Sequence, residues 1–315
     1  MRGRVEGGDF WAWREAMLDV ARGLTPGQVR KSYVGVYAEM RAAGYTAAGE
    51  FHYVGLAEAK AAIEAAEDAG IALVLLLAAY GRGGLERFRQ PSAEAYFGQV
   101  EELRESGASV GLAPHSVRAC PRDWLEAIGR YAERERLALH VHADEQPREI
   151  EECLAEHGLR PIELLAETGC LTERTTVVHA THANDRELDL LAEAGSRICA
   201  CPTTEANLGD GFLPVERLLE RGIGICIGSD SNVRIDPLEE LREVEGIARR
   251  ASLRRNVVPP ELLLRFGTAE GAEALGLDRW DGVEVDVEHR SLAGVPEDEL
   301  RAALLFGCGA DVFAG

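Results

Sequence analysis

A chain of 315 residues has room for one large domain or two smaller ones, and its hydrophobic fraction of 46% is enough for a sizeable core. A formal net charge of −20 argues against sequence-independent binding to nucleic acid, which needs a basic face, and against docking on anionic membrane.

Phe10 to Leu24 carries Phe10, Trp13, Met17 and Val20 at three- and four-residue spacing, the pattern of an amphipathic helix. Thr25-Pro26 is a cap-plus-proline start for a second helix running to about Ala43. Strand and helix signals then alternate. Strands are predicted over Thr46–Val54, Ile71–Tyr80, Ser109–His115, Leu137–Ala143, Thr175–Ala180, Arg197–Cys201 and Gly224–Gly228. Most are rich in Val, Ile, Leu or Ala, as strands buried on both faces should be. Helices are predicted between them over Ala57–Ala69, Ala93–Glu105, Pro121–Glu135, Asp185–Ala194 and Pro237–Ser252. After Arg255 come a short helical pair, Pro259–Phe266 and Ala269–Leu275, an apolar/acidic alternation over Val283–Val287, and a last helix around Glu297–Phe306.

This alternation predicts an α/β fold with a parallel sheet closed by helices, a TIM-type (β/α)8 barrel. Seven strands are visible where a closed barrel has eight, and the first is expected to lie upstream of Met1. Residues 1–256 are read as the incomplete barrel and 257–315 as a helical extension with a remnant of a flanking subdomain. The first nine residues hold no apolar signal core, and the longest apolar run, Ile71 to Tyr80, is far short of a membrane span. Seven cysteines without a CxxC pair read as reduced, mostly buried thiols of a cytoplasmic protein. Cys199 and Cys201 share a strand face but are not spaced as a zinc pair.

The chemistry-bearing residues fall where apolar runs end, and the carboxyl ends of barrel strands converge on one mouth. His142 can bind a metal while Glu145, just past the strand end, curls back to shuttle protons. His140 shares its face one pleat deeper and reads as a supporting or core residue. His179 ends the next strand and can hold a substrate, whereas His182 suits a solvated or capping role. Asp230 can ligate a metal through one oxygen and accept a proton through the other; the alternative is a cap for the helix near Pro237. His115 and Arg118 end another strand, and Glu50, His52 and Tyr53 another. Thr203-Thr204-Glu205 and Asp210 point to the same rim. An arginine near the mouth implies an acidic substrate; Arg14, on a polar helix face, is not promoted by spacing alone.

Several segments together resemble the formimidoylglutamate deiminase branch of the metal-dependent amidohydrolase superfamily. They are Asp9-Phe10-Trp11-Ala-Trp13-Arg14-Glu15, Gly49-Glu50-Phe51-His52-Tyr53, Pro114-His115-Ser116-Val-Arg118-Ala119 and His140-Val-His142-Ala-Asp-Glu145-Gln146. Val178-His179-Ala-Thr-His182, Cys201-Pro-Thr-Thr-Glu-Ala-Asn-Leu-Gly-Asp-Gly211 and Gly228-Ser-Asp230-Ser231 complete the series. The resemblance implies hydrolysis of N-formimino-L-glutamate to N-formyl-L-glutamate and ammonia, in histidine degradation, with one divalent metal ion, zinc by expectation. It implies His142 and Asp230 as metal ligands, Asp230 also as base, Glu145 as proton shuttle and His179 at the reacting carbon. Arg14, Tyr53, His115 and Arg118 would contact a small acidic substrate. A homodimer is allowed for, with the oligomeric state left open.

The chain also departs from that pattern. The family's opening β-sandwich strands and its first barrel strand, with a His-x-His metal pair, are not in it. The loop after Tyr53 is shortened, Asn232 stands where a His is common, and Asp144 where a small residue is common. Two ligands cannot close a tetrahedral site, so weak zinc binding and impaired activity are expected of the chain as given. Two alternatives stay open: an aminohydrolase for a purine, pyrimidine or guanidine-like substrate, and a non-catalytic homologue.

Overall fold

The structure is a computed structural model that describes residue 3 and residues 5–313. Two helices open the chain, α1 (Phe10–Arg22) and α2 (Pro26–Ala42). Asp9 caps the first by accepting from the Ala12 amide, and Thr25 with Gln28 forms a capping box on the second, which has Pro26 at its start.

The alternating part follows as β1 (Ala47–His52), α3 (Leu56–Ala69), β2 (Ala72–Ala79), α4 (Ala93–Glu105), β3 (Val110–Pro114), α5 (Arg122–Glu135) and β4 (Leu139–Ala143). It continues with α6 (Pro147–His157), α7 (Pro161–Glu167), β5 (Thr175–His179), α8 (Asp185–Ala194), β6 (Arg197–Ala200), α9 (Pro202–Leu208), α10 (Val215–Glu220) and β7 (Ile225–Ile227). The chain then runs through α11 (Pro237–Ser252), α12 (Pro260–Phe266), α13 (Ala269–Ala274) and α14 (Leu300–Gly307).

All seven predicted strands form. They pair in parallel and in sequence order, β1 to β7, and the sheet curls as the wall of a TIM-type barrel. The apolar runs account for this: Leu75, Leu77, Leu112, Leu139, Val141, Val177, Ile198 and Ile225 are all buried in one continuous core with the helices outside. The strand-to-helix turns therefore share one end of the sheet, where His142, His179 and Asp230 stand. Among the described residues, β1 and β7 do not pair with each other.

The segment after α11 packs on this same core through Val258, Leu263, Phe266, Leu305 and Val312. Arg242 of α11 fastens α14 by donating to the carbonyls of Leu305 (2.9 Å) and Cys308 (2.7 Å). At the end of α13, Leu275 packs onto Gly49 so closely that a Cβ there would lie 2.5 Å from its Cδ2, so any larger residue would have to displace the leucine. Four helices were not marked from sequence: α6, α7, α9 and α10. Three of them, α7, α9 and α10, have seven residues or fewer, and the polar Thr-Thr-Glu of α9 reads as loop. The Val283–Val287 alternation forms no strand; Val285 makes one antiparallel bridge to Phe313. No helix among the described residues is long and apolar enough to cross a membrane.

Candidate active site

The turns that follow β4, β5 and β7 are unusual in backbone as well as in side chain. Asp144, His179, Ala180, Asp230 and Asn232 all have positive φ, between 41° and 73°. Non-glycine residues in the left-handed region are uncommon and carry strain that the surrounding packing must hold, and they concentrate at functional sites.

These turns bring Glu145, His179 and Asp230 together. His179 Nε2 lies 3.6 Å from Glu145 Oε1 and 3.7 Å from Asp230 Oδ2. On the other side of the ring, His179 Nδ1 donates to Glu205 Oε1 at 3.3 Å. Although His179 is fully buried, its Nε2 has no hydrogen-bond partner. His142 stands beside this group, its ring centroid 5.4 Å from that of His179. The His142 ring is steadied by Phe51 at 4.4 Å and by stacking on His115 at 5.0 Å. Its Nδ1 donates to the His115 carbonyl at 3.1 Å, which leaves Nε2 as the unprotonated nitrogen of a neutral ring.

Burial pushes the His142 pKa down to about 3, with the His179 charge adding to it, so His142 stays neutral and able to bind a cation. Burial acts the same way on His179, but the carboxylates of Glu145, Glu205 and Asp230 outweigh it and hold that imidazole up to about 10. Burial raises Asp230 to about 6 against the opposing pull of His179. His179 titrates above its ordinary 6.5, so the stability its charge confers is complete below pH 6.5 and disappears as pH rises through about 10. The melting temperature of the metal-free chain, followed in chelator across that window, is therefore expected to fall. His179→Gln should flatten the fall; an unchanged slope would show that another group causes it.

A cavity of about 630 Å³ opens over this mouth, lined by Arg14, Tyr53, His115, Arg118, His142, Glu145 and Asp230. Seven of the eight residues singled out from sequence thus face one space, with His179 just behind it. Arg118 is held there by Glu145 (3.3 Å) and Glu149 (3.3 Å). Arg14 of α1 pairs with exposed Glu15 at 3.2 Å, and the Tyr53 hydroxyl meets Met17 Sδ at 3.4 Å. His140 is a core residue that donates from Nε2 to the Ala274 carbonyl at 2.8 Å. The cap of α8 is Asn184 rather than His182. The cap of α11 is Asp236, so Asp230 is free of that alternative role.

The donors fit a divalent cation. A buried imidazole nitrogen without a partner, flanked by carboxylates, is a vacancy in the hydrogen bonding that a metal can satisfy. His179, Cys201 and Asp230 each offer an atom within 4.8 Å of the others; His142 is not part of that trio. The spacing of Cys201 from Cys199 gave no hint of this, because its neighbours come from other strands. Glu205 was legible as a rim residue but not as the anchor it is. It accepts from His179 and, through the same oxygen, from the Cys201 amide at 2.9 Å.

An open-ended parallel barrel with imidazoles and carboxylates at the carboxyl ends of its strands is the arrangement of a metal-dependent hydrolase. Residues 1–285 match the amidohydrolase family, and the chain belongs to it. It is 36% identical over 298 residues to the formimidoylglutamate deiminase of Pseudomonas aeruginosa, covering 85% of this chain and 65% of that protein. It is 29% identical over 287 residues to a 5-methylthioadenosine/S-adenosylhomocysteine deaminase of Haloarcula marismortui, covering 88% and 65%. The chain thus spans about two thirds of the length of these relatives, 65% in each case. Its structure resembles an amidohydrolase from Brucella melitensis, with a TM-score of 0.87 and 31% identity over 96% of this chain and 77% of that one. An adenosine deaminase from Xanthomonas campestris with bound zinc shares the fold, with a TM-score of 0.89 at 22% identity over 99% and 74%.

Proposed function

We propose that the site is that of a metal-dependent deiminase hydrolysing N-formimino-L-glutamate to N-formyl-L-glutamate and ammonia, as in histidine degradation, in the cytoplasm. The observation that carries this reading is the meeting of Glu145, His179 and Asp230 beside a cavity that also holds Arg14 and Arg118. The relative from Pseudomonas aeruginosa supports the choice of substrate, and seven free cysteines support a reducing compartment.

His142 and Asp230 would hold the ion, zinc by expectation, with His179 and Cys201 facing the same point. When bound, such an ion lowers the pKa of a water to about 7 and polarises the atom under attack. Asp230 can take the water's proton through the carboxylate oxygen that does not hold the ion. Glu145 reaches the same point from the opposite turn and can pass a proton to the departing nitrogen. In outline, water adds to the formimino carbon, its bond to the terminal nitrogen breaks, and that nitrogen leaves as ammonia. Arg118 and Arg14 suit the two carboxylates of the substrate. A dianion would draw Arg118 away from Glu149 and Glu145, freeing the latter for proton transfer.

The second reading is a deaminase of adenosine-type nucleosides. The relative from Haloarcula marismortui favours it, and so does the aromatic flank of the cavity, Phe10, Trp13, Phe51 and Tyr53. Ammonia release by the zinc-loaded chain separates the two. Turnover of N-formimino-L-glutamate in preference to nucleosides is expected. Ammonia from nucleosides alone would reverse the assignment.

A further inference from the structure

We propose that residues 80–90, the loop leading from β2 toward α4, form the specificity frame of the site. Arg82 and Arg87 are its positioning residues: they fix the spacing of Arg118 and Arg14, and so the length of the diacid that fits between them. The inference rests on the reading of the substrate as a dianion and adds what selects it.

The loop is closed on itself. The Gln90 amide donates to the Tyr80 carbonyl at 3.1 Å, the Tyr80 amide donates to Gln90 Oε1 at 3.0 Å, and Gln90 Nε2 donates to the Ala78 carbonyl at 3.2 Å. Gly83 and Gly84, with φ of 65° and 57°, make the return bend, and a Cβ on Gly84 would lie 2.9 Å from Tyr80 Cε1. Phe88 fills the inside, its ring centroid 5.6 Å from that of Tyr80. A loop joined at its ends and packed by its own side chains is a compact unit of the kind that often carries function.

What the loop touches makes the case. Arg82 donates from Nε to the Arg118 carbonyl and from Nη2 to the Val117 carbonyl, both at 3.0 Å, so it holds the backbone from which Arg118 reaches the cavity. Glu156 of α6 holds Arg82 in turn through both oxygens, at 2.6 and 2.9 Å. Arg87 donates from Nη1 to the carbonyls of Ala21 (3.1 Å), Arg22 (3.2 Å) and Leu24 (2.8 Å), at the end of α1, the helix that carries Arg14. Its Nε donates to the Val54 carbonyl at 3.2 Å, next to Tyr53, and its Nη2 pairs with Glu58 at 2.7 Å. The rings of the loop reach the remaining pair: Phe88 lies 5.0 Å from Tyr53, and Tyr80 lies 4.7 Å from His115. Near Arg14 itself, Arg148 of α6 lies over the Trp11 ring at 4.4 Å and braces that end of α1.

The plain alternative is a pair of clamps that stabilise the fold and select nothing. Against it stands the direction of the donors. Each guanidinium keeps one carboxylate partner and turns its remaining N–H groups to backbone carbonyls. Those carbonyls belong to the segments that present Arg118, Arg14 and Tyr53 to the cavity. A planar fork of N–H donors fixes what it holds in distance and in angle, as a flexible ammonium does not. Two cationic groups set at one spacing engage both ends of a diacid of matching length, whereas a shorter diacid meets one of them at a time.

Calorimetry on the full chain reads diacid binding without turnover. The probes are N-formyl-L-glutamate and N-formyl-L-aspartate, which is one methylene shorter. The parent is expected to bind the longer diacid at least about tenfold more tightly. Arg87→Ala and Arg82→Ala should each weaken the longer diacid by about tenfold and bring the two affinities together, since the cost falls on the matched length. Arg14→Ala should level them as well, and adding Arg87→Ala to it should cost little more, because both changes remove the same contact. Arg87→Lys, which keeps a charge beside Glu58 but cannot span the three carbonyls, serves if the alanine variant fails to fold. A length preference kept in the Arg82 and Arg87 variants, or an additive double variant, would overturn the frame and leave the diacid reading standing. Equal affinity for both probes in the parent would do the same. Binding of neither diacid by the parent would end both.

Discussion

Glu145→Gln is expected to lower kcat on the preferred substrate by about 10²–10⁴-fold, the range that removal of a positioned proton-transfer group produces. The amide keeps the shape of the side chain and can still meet Arg118, which now sits 3.3 Å from the carboxylate. Fold and metal content should therefore be retained, and KM should change little. The loss would fall on the step in which the leaving nitrogen is protonated. Parallel measurement of kcat, KM and bound zinc in the two proteins checks this. A kcat within a few-fold of the parent would remove Glu145 from the chemistry.

Arg160→Ala is expected to destabilise the fold by about 3–5 kcal/mol, the cost of breaking a buried charge pair by removing one partner. Arg160 donates to Glu187 at 2.7 Å, to Asp144 at 3.2 Å and to the His182 carbonyl at 2.7 Å, and both carboxylates are wholly buried. Without the guanidinium, two buried carboxyl groups lose their shared cation, and Asp144, whose pKa burial and Glu187 already push up, is driven further toward its protonated form. The damage should reach the site, because Asp144 precedes Glu145 and its carbonyl accepts the His182 amide at 3.0 Å, tying the turn after β4 to the turn after β5. Urea unfolding measures the loss. A change below about 1 kcal/mol would place this cluster with ordinary surface ion pairs.

The strands were legible because parallel strands covered on both faces read as unbroken apolar runs. Ile71–Tyr80 carries that signal without interruption, and β2 forms inside it; Thr175–Ala180 carries it only at Val177 and Val178, between polar residues, and β5 forms there. Strand order then followed from the alternation with helices, and the convergence of His142, His179 and Asp230 from their places at strand ends. What escaped the sequence depends on contacts across the barrel. Cys201 seemed to belong with Cys199, two residues away, yet its relevant neighbours arrive from β5 and β7. The Asp144–Arg160–Glu187 cluster spans three turns, and spacing alone says nothing of it. Glu205 sits in a polar run that reads as loop, and only the first turn of α9 brings its carboxylate back onto His179. Leu275 on Gly49 is likewise a contact between chain regions far apart in sequence.

The position of a bound zinc ion tests the central claim most directly. Crystals of the zinc-loaded chain, measured at the zinc absorption edge, should show one strong anomalous peak at the mouth of the strands. It should lie about 2.0–2.3 Å from an oxygen of Asp230 and from at least one imidazole nitrogen of the cluster. A peak confined to surface carboxylates, with none at the mouth despite stoichiometric zinc, would contradict the account.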